Sequence, residues 1–430
     1  MLIKGILLLY HHLLWADAPT ILEHVDAFEK HSRFKVWKIN TELGFPDGLN
    51  ELEFQIIVLH YSLWFPNNYN LNNEFLSYLK RLKNSHKIAI YQDEYHYCTK
   101  RFDFIKRYKV DCIYSLMEPD QFEKVYKRYT EVDKIIYSIP GYVSDDLIEL
   151  GDKLTMTDEQ RTIDVGYRGR PLPFYMGKGA QEKTEIGIGF KDRCAPLNLT
   201  TDIETEEHKR IYGKSWYKFL ANCRAVLGVE AGVSIFDTQD LVRKEYERYL
   251  ALNPKISFRE LSDKLLCKWE NNIFYRTISP RHFEAAALRV CQILFEGTYS
   301  GILQPMVHYI PLKKDFSNFD EVIDRFQDKS LRQELTENAH RDLIASRRYS
   351  YQKFIDSFDR ELEKNGFRPD IPLSDCREVS LQLDKDLRYR KAKAIMRIVR
   401  SYPFPGRRFI VPILKTVLGK GRKAQGAFRN

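Results

Sequence analysis

Basic side chains crowd one glycine-rich turn of this chain. In DVGYRGRPLPFYMGKGAQEK, residues 164–183, Arg168, Arg170, Lys178 and Lys183 are interleaved with Gly169, Gly177 and Gly179. Glycines let a ligand approach the backbone closely. Guanidinium and ammonium groups at a turn where a strand gives way to a helix suit a diphosphate, because Arg pairs bidentately with its oxygens and free N–H groups add donors. The turn lacks the G-x4-G-K-S/T order of a P-loop and makes a poor dinucleotide fingerprint. The plainer reading is a basic surface loop.

A second constellation is ISPRHFEAAALRV, residues 278–290. Ser279 fits a helix cap and Pro280 the first helical position. Phe283, Ala286, Ala287 and Val290 form an apolar stripe, while Glu284 stands off it. A helix start favours an anion, so Ser279 and Arg281 are candidates for a phosphate seat. A carboxylate one turn further in, Glu284, has the chemistry to accept hydrogen bonds from the vicinal hydroxyls of a ribose. Two strand-end loops add Glu230, in LGVEAGVSIFD, and Gly297, in FEGTYSGILQP. A capped helix with an acidic first turn, and an exposed loop acid at Glu230, are the structural alternatives. In the N-terminal half, VLHYSLWFP and IYQDEYHYC place His60, Asp93, Glu94 and His96 at strand ends. Histidine and carboxylate groups there are suited to take a proton from an attacking hydroxyl. The YHH at residues 10–12 and Asp17 lie at the exit of the first strand and are expected to shape the same side.

The elements that must position these residues are short and alternate in type. GILLLYH, FQIIVLHY, KIAIYQDE and CIYSL are apolar runs of strand length, separated by helix-like segments such as NNEFLSYLKRLKNS. A second series runs from TIDVGYRG through GAQEKTEIGIGFKDR, RAVLGVEAG and PRHFEAAALRV to CQILFEG and VHYIPL. Strands alternating with helices imply parallel sheets covered on both faces. The expected fold class is α/β, with two Rossmann-like doubly wound domains facing a cleft. Ligands sit at the carboxyl ends of the strands in such sheets. The expected division is an N-terminal acceptor domain over 1–150, a donor domain over 151–346, a crossover helix over 347–366 and a basic amphipathic tail over 367–430. The stretch from Thr238 to Asn272 reads as inserted helices forming a lid or wall.

SPRHFEAAA resembles the S-R-x-F-E-A segment of glycosyltransferases with the two-domain GT-B fold, family 4-like, in the subgroup with a spore-protein-type glycosyltransferase domain. The resemblance covers roughly residues 160–360. It implies that Glu284, the second acid of the family's E-x7-E pattern, holds the donor's ribose. It implies that Arg170 and Lys178, matching G-R…K-G, hold the diphosphate, with Lys183 a rival for the lysine role. Arg276 stands where the family has its first glutamate. The resemblance therefore supports nucleotide binding more than the usual contact to the donor sugar. It implies a nucleoside diphosphate sugar as donor and no cofactor or metal, since basic side chains and helix dipoles neutralise the leaving group. The DKD at residues 384–386 is the one D-x-D and lies beside the basic tail.

Composition bounds these readings. With 43% hydrophobic residues, 26 Tyr and 26 Phe in 430 residues, the chain has material for full-sized cores. No run is apolar for long enough to span a bilayer, and the N-terminus lacks a signal-peptide pattern. Seven scattered cysteines without a CxxC indicate reduced thiols and no zinc site. The net charge of +9 is unevenly placed: residues 387–430 hold thirteen Lys or Arg and no Asp or Glu, leaving the rest mildly acidic. Aliphatic residues accompany those charges, which predicts an anionic membrane surface as partner and no nucleic acid. The expected function is transfer of a sugar to a hydroxyl of a glycan, lipid-linked or otherwise of the cell surface. The expected place is the cytoplasm, peripheral on the inner face of the cell membrane. The alternatives are a nucleotide-sugar epimerase of the same fold and a non-catalytic nucleotide- or glycan-binding protein.

Overall fold

The computed structural model describes residues 2–14, 19–64, 69–370 and 372–401. The N-terminal half runs β1 (Leu2–Tyr10), α1 (Pro19–His31), β2 (Val36–Asn40), β3 (Glu53–Leu59), α2 (Asn73–Arg81), β4 (His86–Ile90), α3 (Cys98–Tyr108), β5 (Cys112–Ser115) and β6 (Lys134–Tyr137). Its six strands are all parallel, in the order β2-β1-β3-β4-β5-β6. Helices cover both faces, so β1 can be apolar at successive positions. Ile6 and Leu8 enter one core with Phe28 of α1, while Leu7 and Leu9 enter the other with Phe75 of α2 and Phe102 of α3.

The chain then crosses to a second unit. This comprises α4 (Asp145–Leu154), β7 (Ile163–Arg168), α5 (Lys178–Cys194), β8 (Thr201–Glu204), α6 (Gly213–Ala221), β9 (Cys223–Gly228), β10 (Ala231–Val233), α7 (Leu241–Leu252), α8 (Phe258–Leu261), β11 (Tyr275–Thr277), α9 (Pro280–Ala287), β12 (Cys291–Phe295), β13 (Ile310–Leu312), α10 (Phe319–Gln327) and α11 (Lys329–Ala339). Five of these strands form a parallel sheet ordered β13-β12-β9-β7-β8, and β10 pairs with β11 in a small antiparallel ribbon. From β7 the chain goes outward to β8 and then returns to β9 on the other side. The order thus reverses between β7 and β9, which is where doubly wound sheets open a crevice for a ligand. Two such domains facing a cleft make the GT-B arrangement.

The crossing comes a little earlier than residue 150. Helix α4 packs on α9 and so belongs to the second domain. The two chain crossings lie side by side: the Val143 N–H donates to the Tyr349 carbonyl at 2.8 Å, and the Tyr351 N–H to the Val143 carbonyl at 3.2 Å. Helix α12 (Tyr351–Lys364) returns to the first domain, burying Phe354, Ile355 and Phe358 beside β1 and α1. Beyond it, α13 (Leu373–Asp384) and α14 (Leu387–Ser401) dock on the same domain. The Trp37 indole donates to Ser380 at 3.1 Å, and Arg390 pairs with Asp386 of the DKD at 2.8 Å. Arg390 also donates to the Gly44 carbonyl at 3.4 Å and Arg397 pairs with Glu42 at 3.5 Å, so residues 387–401 are anchored rather than a free tail, and residues 402–430 lie outside the described residues. Among those described, no helix is long and apolar enough to cross a membrane.

The insert between β10 and α9 is a wall shared by both domains. Phe236, Leu261, Leu266 and Tyr275 lie in one apolar core with Tyr95, Cys98, Phe102 and Tyr126 of the first domain. Polar contacts fasten it. The Asp240 carboxylate accepts from the N–H groups of Cys98 and Thr99, both at 3.2 Å, capping α3 from the opposite domain.

Candidate functional site

At the reversal point of the second sheet lies a pocket of about 200 Å³. Strand β7 contributes Tyr167 and Arg168, β9 contributes Val226 to Gly228, and the mouth of α9 contributes Ser279, Arg281 and His282. Helix α5 can press against the end of β7 because residue 169 is glycine: a Cβ there would stand 2.8 Å from the Lys183 carbonyl oxygen. That approach brings Lys183 into the pocket, where the Tyr167 hydroxyl donates to its carbonyl at 2.7 Å. Helix α6 supplies Trp216 and Phe219 as an aromatic wall, their rings stacked at 5.7 Å.

Five cationic side chains line this pocket, Arg168, Arg170, Lys183, Arg210 and Arg281, and no Asp or Glu among the described residues does. Arg168 is held from behind by Asp202 at 2.8 Å, with its guanidinium over the Phe219 ring. Arg281 lies over the Trp216 ring at 4.9 Å and donates to the Arg168 carbonyl. Arg170 is exposed at the lip, with Glu207 3.8 Å away. The Lys183 ammonium has no hydrogen-bond or ion-pair partner among the described residues. Burial pushes its pKa down to about 8; Asp93 opposes this, while Arg281, Arg276 and Arg170 add to it. Ser279 caps α9 by accepting from the Arg281 N–H at 3.3 Å. The whole is a seat for a polyanion at a helix start. Lys178 is exposed as the first residue of α5 and does not line the pocket. Lys183, one turn further on, takes its expected place.

Glu284 has a different neighbour from the one expected. Its Oε2 accepts from the Trp216 indole at 2.7 Å, so it braces the aromatic wall from behind. The carboxyl lines an adjoining pocket between the domains, and burial raises its pKa. Glu230 is buried, and its Oε1 accepts from the Thr298 N–H at 3.0 Å, the Thr298 hydroxyl at 2.8 Å and the Tyr299 N–H at 2.8 Å. It therefore organises the loop that contains Gly297, where a Cβ would stand 2.6 Å from its carboxyl carbon. Neither Glu230 nor Gly297 lines the pocket. Arg276 makes buried ion pairs with Glu182 and with Glu230, the latter at 3.4 Å.

The three first-domain candidates separate. Asp93 is exposed, in left-handed backbone at φ 49°, and its charge acts on Lys183 across the cleft. The Tyr95 hydroxyl donates to it at 3.0 Å. Glu94, one residue on, is wholly buried. It accepts from the Ser115 hydroxyl at 2.7 Å, the Leu116 N–H at 2.7 Å, the Tyr126 hydroxyl and, from the other domain, the Tyr275 hydroxyl at 3.2 Å. It is a structural carboxylate joining two domains. His60 is also fully buried, its ring nitrogens 3.0 Å from His24 Nδ1 and 2.9 Å from the Ser62 hydroxyl. Burial holds its pKa well below the ordinary value. It does not face the cleft. His96 bonds Tyr175 across the domains at 2.9 Å, and His11 bonds Thr41 at 3.0 Å. Asp17 lies outside the described residues.

Sequence reasoning did not single out Arg210, Trp216, Phe219 or Gln292 as pocket residues. The segment of Trp216 and Phe219, GKSWYKFLA, reads as an ordinary amphipathic helix, and no local signal marks the rings that line the pocket. Among the described residues no cluster of three or more His, Cys, Asp or Glu side chains is placed to hold a metal ion.

No family model matches the chain, and no curated protein matches it in sequence. Similar solved structures include an alpha-glucosyltransferase in complex with UDP and a DNA containing an HMU base, with TM-score 0.48 and 11% identity over 83% of this chain and 98% of that one. HepE of Anabaena in complex with UDP has TM-score 0.47 and 9% identity, covering 84% of this chain and 100% of its own. TarM has TM-score 0.39 and 11% identity over 73% of this chain, which spans 55% of TarM's length. The description of two doubly wound domains rests on the strand orders themselves.

Proposed function

We propose that the chain is a glycosyltransferase that moves a sugar from a nucleoside diphosphate donor to a hydroxyl of a glycan. The observation that carries this is the acid-free cationic pocket at the sheet reversal and the α9 mouth. In this reading Lys183 and Arg281 bind the diphosphate, Arg170 closes the lip and Arg168 adds charge from behind. The nucleoside lies along Trp216 and Phe219. The same cations stabilise the negative charge that grows on the leaving diphosphate, so no metal is assigned a role. Asp93, the cleft-facing carboxylate opposite Lys183, accepts the proton of the attacking hydroxyl. Glu284 acts through Trp216 rather than on the ribose.

The acceptor is read as a lipid-linked or other cell-surface glycan, worked on at the inner face of the membrane. The seven cations of residues 402–430 support that place, each adding about 1 kcal/mol near an anionic surface.

Calorimetric titration with UDP-, GDP- and ADP-linked sugars tests the reading. One base should bind and Arg281→Ala should weaken it. Sugar transfer should follow when membrane extract is added. No binding by any of them refutes the donor site. Binding without turnover in any extract favours a non-catalytic nucleotide-binding protein, a reading helped by the structural employment of Glu94 and His60.

A further inference from the structure

The back of the basic turn is built into the opposite domain. Leu172, Tyr175, Met176 and Ala180 lie in one apolar core with Cys98 and Phe102 of α3. The insert completes that core with Phe236, Leu261, Leu266 and Tyr275, none more than 2% exposed. The Met176 carbonyl accepts from the Ser234 and Ile235 N–H groups, both at 3.2 Å, which ties the turn to the insert. The segment that supplies Arg168, Arg170 and Lys183 to the pocket therefore takes its support from across the cleft.

Polar groups close the same seam. The Tyr175 hydroxyl meets His96 Nδ1 at 2.9 Å. The Tyr275 hydroxyl accepts from the Glu94 N–H at 3.3 Å and donates to the Glu94 carboxylate at 3.2 Å. The Phe274 N–H donates to the Gln121 side chain at 3.4 Å, and Asp240 caps α3 through Cys98 and Thr99. Parting the domains would strip Glu94 of a donor and α3 of its cap, and would wet a set of aromatic rings. A second fastening uses other elements. Lys30 of α1 pairs with Asp145 of α4 at 2.8 Å, and Gly141 lies so close to α9 that a Cβ there would stand 2.9 Å from the Pro280 ring. Two domains joined by paired chain crossings would ordinarily hinge about them. Here that rotation would tear open the insert's core. Relative motion is the default for small polar domain interfaces, and a large apolar one removes it.

We infer that the two domains act as one rigid body, with the insert as the brace, and that the cleft is formed before any ligand arrives. A nucleotide then enters a seat already in shape, past Arg170 at the lip, and no domain closure accompanies it. Binding loses nothing to domain rearrangement. The inference concerns the frame of the protein and holds whichever ligand the pocket takes.

Small-angle X-ray scattering of the full chain, empty and with UDP, GDP or ADP, reads the domain arrangement, and amide hydrogen exchange reads the seam. The scattering curves should superimpose. The Cys98 N–H, which bonds Asp240 across the seam at 3.2 Å, should exchange as slowly as the amides of β3, because both open only when the chain unfolds. Phe236→Ala leaves that bond in place but hollows the shared core, and should speed Cys98 exchange relative to β3 by about tenfold or more. Tyr275→Phe, which keeps the ring and loses only the bonds to Glu94, should give a smaller acceleration and covers the case of an alanine variant that does not fold. Contraction of the wild type on nucleotide binding overturns the inference. So does wild-type Cys98 exchange far faster than that of β3, or exchange that neither variant alters. If none of the nucleotides binds, the exchange results decide the question alone, and it is the donor seat that is refuted.

Discussion

Replacing Lys183 by methionine should loosen the donor and tighten the fold together. The ammonium is partly buried among Arg281, Arg276 and Arg170, and its pKa falls from 10.5 to about 8. One pKa unit is worth about 1.4 kcal/mol, so the folded chain bears up to about 3 kcal/mol for holding this charge. Partial solvent access reduces that to about 2 kcal/mol. The sign follows from the lowered pKa. Folding favours the neutral amine, so the cost is complete below about pH 8 and fades as pH rises toward 10.5. Lys183→Met should therefore be about 2 kcal/mol more stable than wild type at pH 7 and lose that advantage at high pH. Its donor affinity should move the other way. A charge-assisted bond to phosphate is worth roughly 1.5–3 kcal/mol, about 10- to 150-fold in Kd. In wild type, affinity for the nucleotide sugar should fall as pH rises through about 8, and in the variant that slope should vanish. Urea unfolding at two pH values and calorimetry across the same range measure both effects. A variant with wild-type affinity, or one no more stable at pH 7, refutes the placement of Lys183 as a strained phosphate ligand.

Other residues make separate predictions. Glu94→Ala strands two tyrosine hydroxyls, a serine hydroxyl and a backbone N–H. It should cost about 3–5 kcal/mol in chemical denaturation; full stability with lost turnover would instead make Glu94 catalytic. The His24–His60 pair is buried and neutral, with His24 pushed down to about 3. Folding thus excludes protons that the unfolded chain binds below pH 6.5, so stability is complete above that pH and falls beneath it. His60→Gln should flatten the fall between about pH 6.5 and 5, and an unchanged pH profile counts against it. Removing residues 402–430 should leave donor affinity intact and release the chain from anionic vesicles; persistent vesicle binding would end the membrane role of that segment.

Local pattern was enough for much of the architecture. The apolar runs of β1, β3 and β4 are readable because strands buried on both faces need apolar residues at successive positions. The start of α9 is readable because Ser279 and Pro280 satisfy a helix start by themselves. The clustering of cations in the turn at 168–183 was legible from composition, and Arg168, Arg170 and Lys183 of it line one pocket. Which lysine enters that seat could not: Lys178 and Lys183 differ only in the face of α5 they occupy, and the approach of α5 to Gly169 decides between them. Asp93 and Glu94 look equivalent in sequence, yet one faces the cleft and the other is buried by Tyr126 and Tyr275. Glu284 reads as a ribose ligand in sequence, and only folding shows that α6 sets the Trp216 indole against one of its oxygens. Arg276, odd where an acid was expected, is explained by Glu182 and Glu230, each far away along the chain. Sequence determined the elements and the sign of their charge, because helix, strand and cap depend on neighbours within a few residues. Tertiary structure decided which charges meet, because a side chain's partner is set by the packing of elements that the chain brings together only when folded.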